Sequence, residues 1–218
     1  MKLRVVITTY NRPTMCEELV VQIRSQYAGA DIHVYNDGGV PPNLYDAKLH
    51  NKHHRGRRGY HYLWREIFQH LKRNQGWRYV LFLPDDATLI DGAISEMIRL
   101  YAAIDDENKV GLVPLVDQRG RGPQWVPFDP VRAGDVWLVK WFDCCALVDY
   151  AFFDALSWHV AEVPQAHFDN NESSGVGSQI SKRLNSKGKA MYQSHESLVL
   201  HGDHESKMHP IHRKEVPL

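Results

Sequence analysis

Short apolar runs alternate with amphipathic segments over the first 117 residues, and this alternation constrains the fold more than any other feature. The apolar runs read "LRVVITT", "ADIHVY", "YVLFL" and "KVGLV", and the segments between them, at 14–27, 60–76 and 91–104, have helical periodicity. Strand, helix and strand at this spacing form βαβ units, whose strands run parallel. The sequence therefore predicts an α/β fold, with a mostly parallel sheet flanked by helices in a single domain.

The predicted helices carry signals at their ends. Thr14 and Glu17 have the spacing of a capping box, which predicts a helix start. Gly76 is a predicted C′ residue of the second helix. That helix presents an apolar residue every four positions, at Leu63, Ile67 and Leu71. The preceding segment, 40–58, is polar and increasingly basic, and it predicts a loop.

Composition excludes several classes of protein. The 218 residues suit one sizeable domain, and 26 basic residues balance 26 acidic ones, so net charge gives no attraction to nucleic acid or membrane. No apolar run approaches the ~20 residues that span a bilayer, and the N-terminus lacks a signal-peptide pattern. We expect a cytoplasmic protein with no membrane insertion. The three cysteines lack CxxC spacing, which argues against disulfides and a structural cysteine–zinc site.

Polar clusters follow three of the predicted strands. They are Thr8–Asn11, Asn36–Gly39 and the pair Asp85 and Asp86. In open α/β sheets, ligands bind beyond the carboxyl ends of parallel strands, where such clusters meet. Two carboxylates beside a buried strand need a counter-charge, and Mg²⁺ or Mn²⁺ prefers a few carboxylates together with substrate phosphates. The alternative is a solvated turn with an aspartate capping the next helix.

Three segments in order, "VVITTYNRP", "VYNDGG" and "LFLPDDATL", resemble family 2-type glycosyltransferases of the GT-A fold. The resemblance covers about the first 120 residues. It implies a metal-dependent glycosyltransferase that uses a nucleotide-diphosphate sugar and Mn²⁺ or Mg²⁺. It also implies a nucleotide-sugar-binding half at 1–117 and an acceptor-binding half at 118–218, which ends in a segment of the metal site.

The same resemblance assigns donor-binding residues by position. Thr8 and Tyr10 would line the nucleotide base, and Asp37 would accept a hydrogen bond from it. Arg58 would touch a phosphate, and Asp85 would face the sugar. Asn11 and Arg12 belong to the matching "TYNR" segment and join this group.

The metal ligands implied by the resemblance are Asp86 and His201. Pro84 stands where the family often has the first acid of its DxD motif, so the last acid, Asp86, is the main ligand. His201 follows a predicted strand near the C-terminus, where many GT-A enzymes place a histidine ligand. The nearby alternatives are Asp203, His204 and His209.

The catalytic base is the point at which the sequence departs from the family. An inverting transferase needs a carboxylate that takes the proton of the acceptor hydroxyl. Arg183 matches the family's late-helix arginine, but no acid stands in the segment directly before it. The candidates are Asp169, Glu172 and Asp143.

The acceptor is suggested by the stretch "HNKHHRGRRGYH" at 50–61, which has four Lys or Arg, four His and no acid. Such a concentration favours an anionic partner, although it also suits a donor diphosphate or solvent. The size of the chain and its tail, "HGDHESKMHP", resemble small phage-encoded glycosyltransferases, some of which act on hydroxymethylated DNA bases. The acceptor is then a glycan, a small molecule or DNA, and a phage protein would work in the host cytoplasm.

Two other functions fit part of the sequence. A nucleotidyltransferase also uses metal-binding acids on an α/β sheet, but it usually has a Gly-rich loop after the first strand, and "TTYNRPTM" has no glycine. A non-enzymatic nucleic-acid-binding module would use the basic stretch at 50–61. It would leave the paired acids and the strand-end clusters without a role.

Overall fold

A computed structural model describes residues 2–114, 131–142, 144–170 and 173–201. The chain begins with strand β1 (Leu3–Thr9), helix α1 (Pro13–Gln26) and strand β2 (Asp31–Asn36). Strands β1 and β2 pair in parallel on either side of the helical crossover. The first βαβ unit is therefore confirmed.

Helix α1 does not begin with the predicted capping box. The helix starts at Pro13, its N-cap is Arg12, and no side chain caps it. Glu17 instead accepts a hydrogen bond from the backbone N–H of Asn43 at 2.6 Å. Proline fixes φ near the helical value and lacks the N–H that would be unpaired there, so Pro13 sets the start and the prediction based on Thr14 is wrong.

Helix α2 (Gly56–Arg73) begins earlier than the predicted Tyr60, and Asn74 caps its end, so Gly76 is not the C′ residue. Before it comes strand β3 (Lys48–Asn51), which pairs in parallel with β2 in a region predicted as a loop. The predicted apolar face of α2 is confirmed, because Leu63, Ile67 and Leu71 are all buried.

The remaining elements are β4 (Tyr79–Pro84), β5 (Ala87–Leu89), α3 (Ala93–Ala103), β6 (Lys109–Val113), β7 (Val131–Ala133), β8 (Val136–Val139), β9 (Ala146–Val148), α4 (Tyr150–Ala155), α5 (Gln165–Asn170), α6 (Val176–Ser186), β10 (Ala190–Ser194) and β11 (Val199–His201). The main sheet has the order β3-β2-β1-β4-β9-β6-β10-β8-β7. Strands β8 and β9 run against their neighbours, and the other described strands of this sheet point the same way. The predicted mostly parallel sheet is confirmed.

Helices cover both faces of the sheet. Helices α1 and α3 pack on one face through residues such as Leu19 and Met97. Helices α2, α4 and α6 pack on the other through Trp64, Phe153 and Ile180. Each of these side chains is fully buried, and such burial contributes about 1.5–3 kcal/mol for a large apolar side chain. The helices on both faces hold the central strands in place, and thereby also fix the positions of the carboxyl ends of these strands.

Backbone hydrogen bonds continue between the central strands at their carboxyl ends. The Asp37 N–H donates to the Thr9 carbonyl oxygen at 2.8 Å, and the Asp85 N–H donates to the Thr8 carbonyl oxygen at 3.1 Å. The residues that follow β1, β2 and β4 are therefore fixed to one another at one edge of the sheet. This is the edge at which ligands bind in open α/β sheets.

Two predictions from composition can be compared with this fold. The structure forms no disulfide among the three cysteines, and Cys16 and Cys145 are buried. In the part of the chain that the structure describes, no helix has the length and apolar character needed to cross a membrane.

Candidate active site

Two buried carboxylates and one guanidinium form a compact group at the end of β4, which we call the acid corner (Arg12, Asp85 and Asp86). Arg12 Nη1 lies 2.7 Å from Asp86 Oδ2 and 3.3 Å from Asp85 Oδ1. Asp85 Oδ2 also accepts hydrogen bonds from the Thr9 hydroxyl at 2.8 Å and from the Tyr10 N–H at 3.3 Å. Both acids are at most 7% exposed. Their counter-charge in this structure is thus Arg12.

Among the described residues, Arg12 is the cation in contact with both carboxylates of the acid corner. Burial raises the pKa of Asp85, and Asp86 raises it further, against the opposing effects of Thr9 and Arg12. Burial opposes the charge of Arg12, but its hydrogen bond to Asp86 and the nearby charge of Asp85 raise the pKa of the guanidinium overall. Arg12 therefore remains charged, while Asp85 is incompletely compensated.

A second group, of aromatic and polar side chains, lies at the ends of β1 and β2. The rings of Tyr10 and His54 are stacked, with centroids 4.0 Å apart and planes 17° from parallel. His54 Nδ1 lies 3.0 Å from Asp37 Oδ2. Burial raises the pKa of Asp37, and His54 opposes that rise. Sequence reasoning missed His54, whose only signal was its place in the His- and Arg-rich stretch.

Two further predicted donor-binding residues, Thr8 and Asn11, also have partners within the protein. The Thr8 hydroxyl oxygen accepts a hydrogen bond from the Tyr60 hydroxyl at 3.3 Å. Asn11 has a φ of 53°, in the left-handed region, and its Oδ1 accepts from the Val40 N–H at 3.2 Å. Asn11 thereby ties the loop after β1 to the loop after β2, which holds the two strand ends in a fixed relation.

Basic side chains stand at the start of α2, beside the short helix α5. Arg58 is exposed, and its guanidinium carbon lies 6.0 Å from the centre of the Phe168 ring. Arg57 donates to the Phe168 carbonyl oxygen at 3.2 Å. The candidate base Asp169 follows Phe168, is exposed, and accepts a hydrogen bond from Gln165 at 2.7 Å. The structure therefore brings one candidate base to the same region as the basic stretch.

The structure describes the backbone of one further candidate for the metal site, His201, and the remaining candidates lie outside the described residues. Asp143 and Glu172 lie outside the described residues, as do the alternatives Asp203, His204 and His209. The backbone of His201 is described in β11, where it stands opposite Ala87 in antiparallel pairing with β5. Ala87 directly follows Asp86, so the end of β11 adjoins the acid corner.

The chemistry of the acid corner fits the divalent cation expected from the sequence. Two carboxylates at a strand end supply the hard oxygen ligands that Mg²⁺ and Mn²⁺ prefer, and phosphate oxygens commonly complete the set. Burial raises the pKa of Asp85, and Thr9 and Arg12 oppose that rise only in part. Asp86, with Asp85 beside it, is the residue with a described side chain that would hold such an ion.

Comparison with solved structures identifies the fold of the chain. No family model and no curated protein sequence matches the chain. Solved structures do match. GalNAc-T7, crystallised with UDP, GalNAc and Mn²⁺, gives a TM-score of 0.62 at 12% identity over 92% of this chain and 44% of its own. The chain has the GT-A fold.

Two further structures give the same result. S. aureus TarS (residues 1–349) gives a TM-score of 0.57 at 14% identity over 91% of this chain and 60% of its own. The mannosyltransferase PcManGT from Pyrobaculum calidifontis, solved with GDP-Man and Mn²⁺, gives 0.55 at 12% identity over 87% of this chain and 53% of its own. The chain thus spans about half the length of these proteins, and the likeness concerns the fold.

Proposed function

We propose that this protein is a metal-dependent glycosyltransferase, which moves a sugar from a nucleotide-diphosphate donor to an acceptor hydroxyl. The observation that carries the proposal is the acid corner, placed on a GT-A fold beside the stacked Tyr10 and His54 and the buried Asp37. A nucleic-acid-binding module would leave this arrangement without a role. The absence of glycine directly after β1 disfavours a nucleotidyltransferase.

The side chains have distinct roles in this proposal. Tyr10 offers an aromatic face to the base, Thr8 lines the same side, and Asp37 accepts a hydrogen bond from the base. Asp86 holds Mn²⁺ or Mg²⁺, with His201 as the further ligand, and Asp85 faces the sugar. The bound cation would offset the charge that develops on the leaving diphosphate. Arg12, already charged and in the same corner, supplies a second cation for the diphosphate.

The acceptor hydroxyl must lose a proton to a carboxylate. Asp169, Asp143 and Glu172 are the candidates, and general base catalysis contributes about 10²–10⁴-fold to a rate. We therefore expect one of the variants Asp169→Asn, Asp143→Asn and Glu172→Gln to lower kcat by about that factor with little change in KM for the donor. An inverting mechanism predicts that the product has the opposite anomeric configuration to the donor, which NMR of the product reports.

A thermal-shift screen tests the donor and the metal together. UDP- and GDP-linked sugars should raise the Tm in the presence of Mn²⁺, because a ligand that binds only the folded state stabilises it. Asp86→Asn should abolish the Mn²⁺-dependent part of the shift. The matched control is Asp91→Asn, which removes an exposed acid on the following loop and should leave the shift intact. A complete absence of shifts with all donors would contradict the transferase.

The basic stretch favours a polyanionic acceptor, such as DNA containing hydroxymethylated bases, over a neutral glycan. Arg55 and Arg58 are exposed at the start of α2, although Arg55 also lies over the Tyr62 ring at 4.7 Å. DNA binding should weaken steeply with added salt, and further in an Arg55→Gln, Arg58→Gln double variant. Fluorescence anisotropy with labelled duplex DNA measures both effects. Transfer to a glycan without any DNA binding would assign the acceptor to the glycan class.

A further inference from the structure

Three histidine rings meet at the outer part of the sheet, on the face covered by α2. His33 lies in β2, His50 in the edge strand β3 and His70 in the last turn of α2. Their ring centroids are 4.8–5.2 Å apart, and His33 Nδ1 lies 3.0 Å from His50 Nε2. We call this group the histidine cluster.

One ring nitrogen from each member of the histidine cluster lies within 4.8 Å of the other two. Two nitrogens bound at about 2.0–2.1 Å in a tetrahedral zinc site are separated by about 3.4 Å. His33 Nδ1 and His50 Nε2, hydrogen-bonded at 3.0 Å in this structure, are slightly closer than that, so a metal would separate these two rings a little and draw His70 towards them. Among the described residues this is the one group of three His, Cys, Asp or Glu side chains close enough to hold a metal ion.

The surroundings of His33 favour the tautomer that carries its proton on Nε2. Its Nε2 lies 3.2 Å from Asp31 Oδ1, a close contact that is not aligned as a hydrogen bond. Although burial opposes it, hydrogen bonds from Lys48 and Arg4 hold the pKa of Asp31 well below its usual range, so this carboxylate is ionised. A negative oxygen beside Nε2 favours a proton there, which leaves the Nδ1 lone pair facing His50. A carboxylate behind a ligating histidine is a common arrangement in metal sites.

Burial lowers the pKa of each of the three imidazoles, which favours their neutral forms. Burial lowers the pKa of His33 and of His50 to about 4, and burial also lowers the pKa of His70. Neutral rings offer their lone pairs without first losing a proton. The nearby cations Arg4 and Lys48 also disfavour protonation, and Asp31 offsets part of their repulsion toward a bound cation.

A buried tyrosine completes the wall of the histidine cluster. The Tyr35 ring stacks on His50, with centroids 4.5 Å apart. Its hydroxyl is buried and has no hydrogen-bond partner among the described residues. A buried polar group without a partner is rare in folded proteins. Its presence beside three convergent nitrogens points to a ligand at this place.

We propose that His33, His50 and His70 form a binding site for a transition-metal dication, Zn²⁺ above all, separate from the acid corner. Three imidazoles suit Zn²⁺, Cu²⁺ or Ni²⁺, whereas carboxylates and phosphates suit Mg²⁺ and Mn²⁺. The histidine cluster should therefore prefer softer dications such as Zn²⁺, and the acid corner should prefer harder ones such as Mg²⁺. A water molecule would take the fourth position of a tetrahedral ion.

The site would fasten the edge strand to the body of the protein. Strand β3 has only four residues, none of them buried, and pairs with β2 on one side. It continues into the segment whose Lys52 N–H donates to the Asn36 carbonyl oxygen at 2.8 Å and whose His54 stacks on Tyr10. A metal that joins His50 to His33 and His70 would thereby fix the start of the segment that carries His54.

Cobalt substitution tests the site on the whole 218-residue chain. Co²⁺ added to metal-free protein should give the visible absorption bands of a tetrahedral complex, and Zn²⁺ should abolish them. His50→Ala should remove these bands and lower the zinc stoichiometry by one. The control His53→Ala removes an exposed histidine of the same stretch and should change neither. Full stoichiometry and unchanged bands in His50→Ala would overturn the proposal, because the metal would then be bound elsewhere.

A second variant gains a signal instead of losing one, so that misfolding alone cannot produce the expected result. In His70→Cys a thiolate replaces the imidazole in the last turn of α2, and Co²⁺ should then give an additional sulfur-to-cobalt charge-transfer band in the near ultraviolet. Asp86→Asn should keep the Co²⁺ spectrum of the wild type even though it loses the Mn²⁺ effect. Absence of the charge-transfer band in a folded His70→Cys protein would contradict the assignment of His70.

Discussion

Replacement of Arg12 by methionine tests whether this one guanidinium holds the two buried acids. Arg12 is the N-cap of α1, but its side chain makes no cap hydrogen bond, so the helix start stays intact in the variant. Methionine keeps the length and the apolar stem of the side chain. What is lost is the cation 2.7 Å from Asp86 and 3.3 Å from Asp85.

The expected loss of stability is large because the side chains of Arg12, Asp85 and Asp86 are all at most 9% exposed. Removal of one partner from a buried ion pair leaves an uncompensated charge and costs about 3–5 kcal/mol. For a domain of this size, that lowers the Tm by about 6–20 °C. Because the folded-state pKa of Asp85 is already raised by burial and loses the opposing effect of Arg12, the folded variant binds protons more strongly than the unfolded chain. Its stability should therefore recover as the pH falls toward 5 and decline as the pH rises.

Urea denaturation at pH 5 and pH 8 measures these effects. Arg12→Met combined with Asp86→Asn removes one of the two acids, and should be more stable at pH 8 than the sum of the single variants predicts. The coupling energy expected for residues in contact is about 0.5–3 kcal/mol. The control Arg99→Met breaks an exposed ion pair with Glu96 and should leave the midpoint unchanged. An Arg12→Met protein as stable as the wild type at pH 8 would refute the reasoning.

Two further predictions concern backbone strain and thiol reactivity. Gly39→Ala should lower the urea midpoint more than Gly188→Ala does. Both glycines have a positive φ, but of the two only Gly39 would bring a Cβ into a collision, 1.8 Å from Asn11 Oδ1. Equal effects of the two substitutions would contradict this. At pH 8 iodoacetamide should label the half-buried Cys144 faster than Cys16, because burial raises the pKa of Cys16 to about 12. Peptide mass spectrometry gives the two rates, and rapid labelling of Cys16 in native protein would be the contrary result.

Periodicity and apolar content predicted the elements that are long and well buried. Strand β4, buried from Tyr79 to Leu83, and the apolar stripe of α2 are examples. Strand β3, with no buried residue, gave no such signal, because an edge strand has no apolar run to mark it. The helix start at Pro13 was missed because a capping-box spacing competes with proline, and the backbone preference of proline is the stronger effect.

The acid corner was predictable in part. The sequence predicted that Asp85 and Asp86 lie at a strand end and need a counter-charge. It did not predict that Arg12 supplies this charge, because Arg12 lies more than seventy residues away along the chain. Such a pairing follows from the β1–β4 register rather than from local sequence. The stacking of His54 on Tyr10 and the histidine cluster are long-range in the same way. Residue types alone gave only the concentration of histidine in the stretch 50–61.

The position of β9 has a consequence for the timing of synthesis. Strand β4 ends at Pro84, but its neighbour on one side, β9, is not complete until Val148. At about 5–20 residues per second, a ribosome needs about 3–13 s to make the intervening chain. During that interval one edge of a wholly apolar strand stands open to pairing with other chains. A slower stretch of translation between these two points would prolong the exposure of this strand edge.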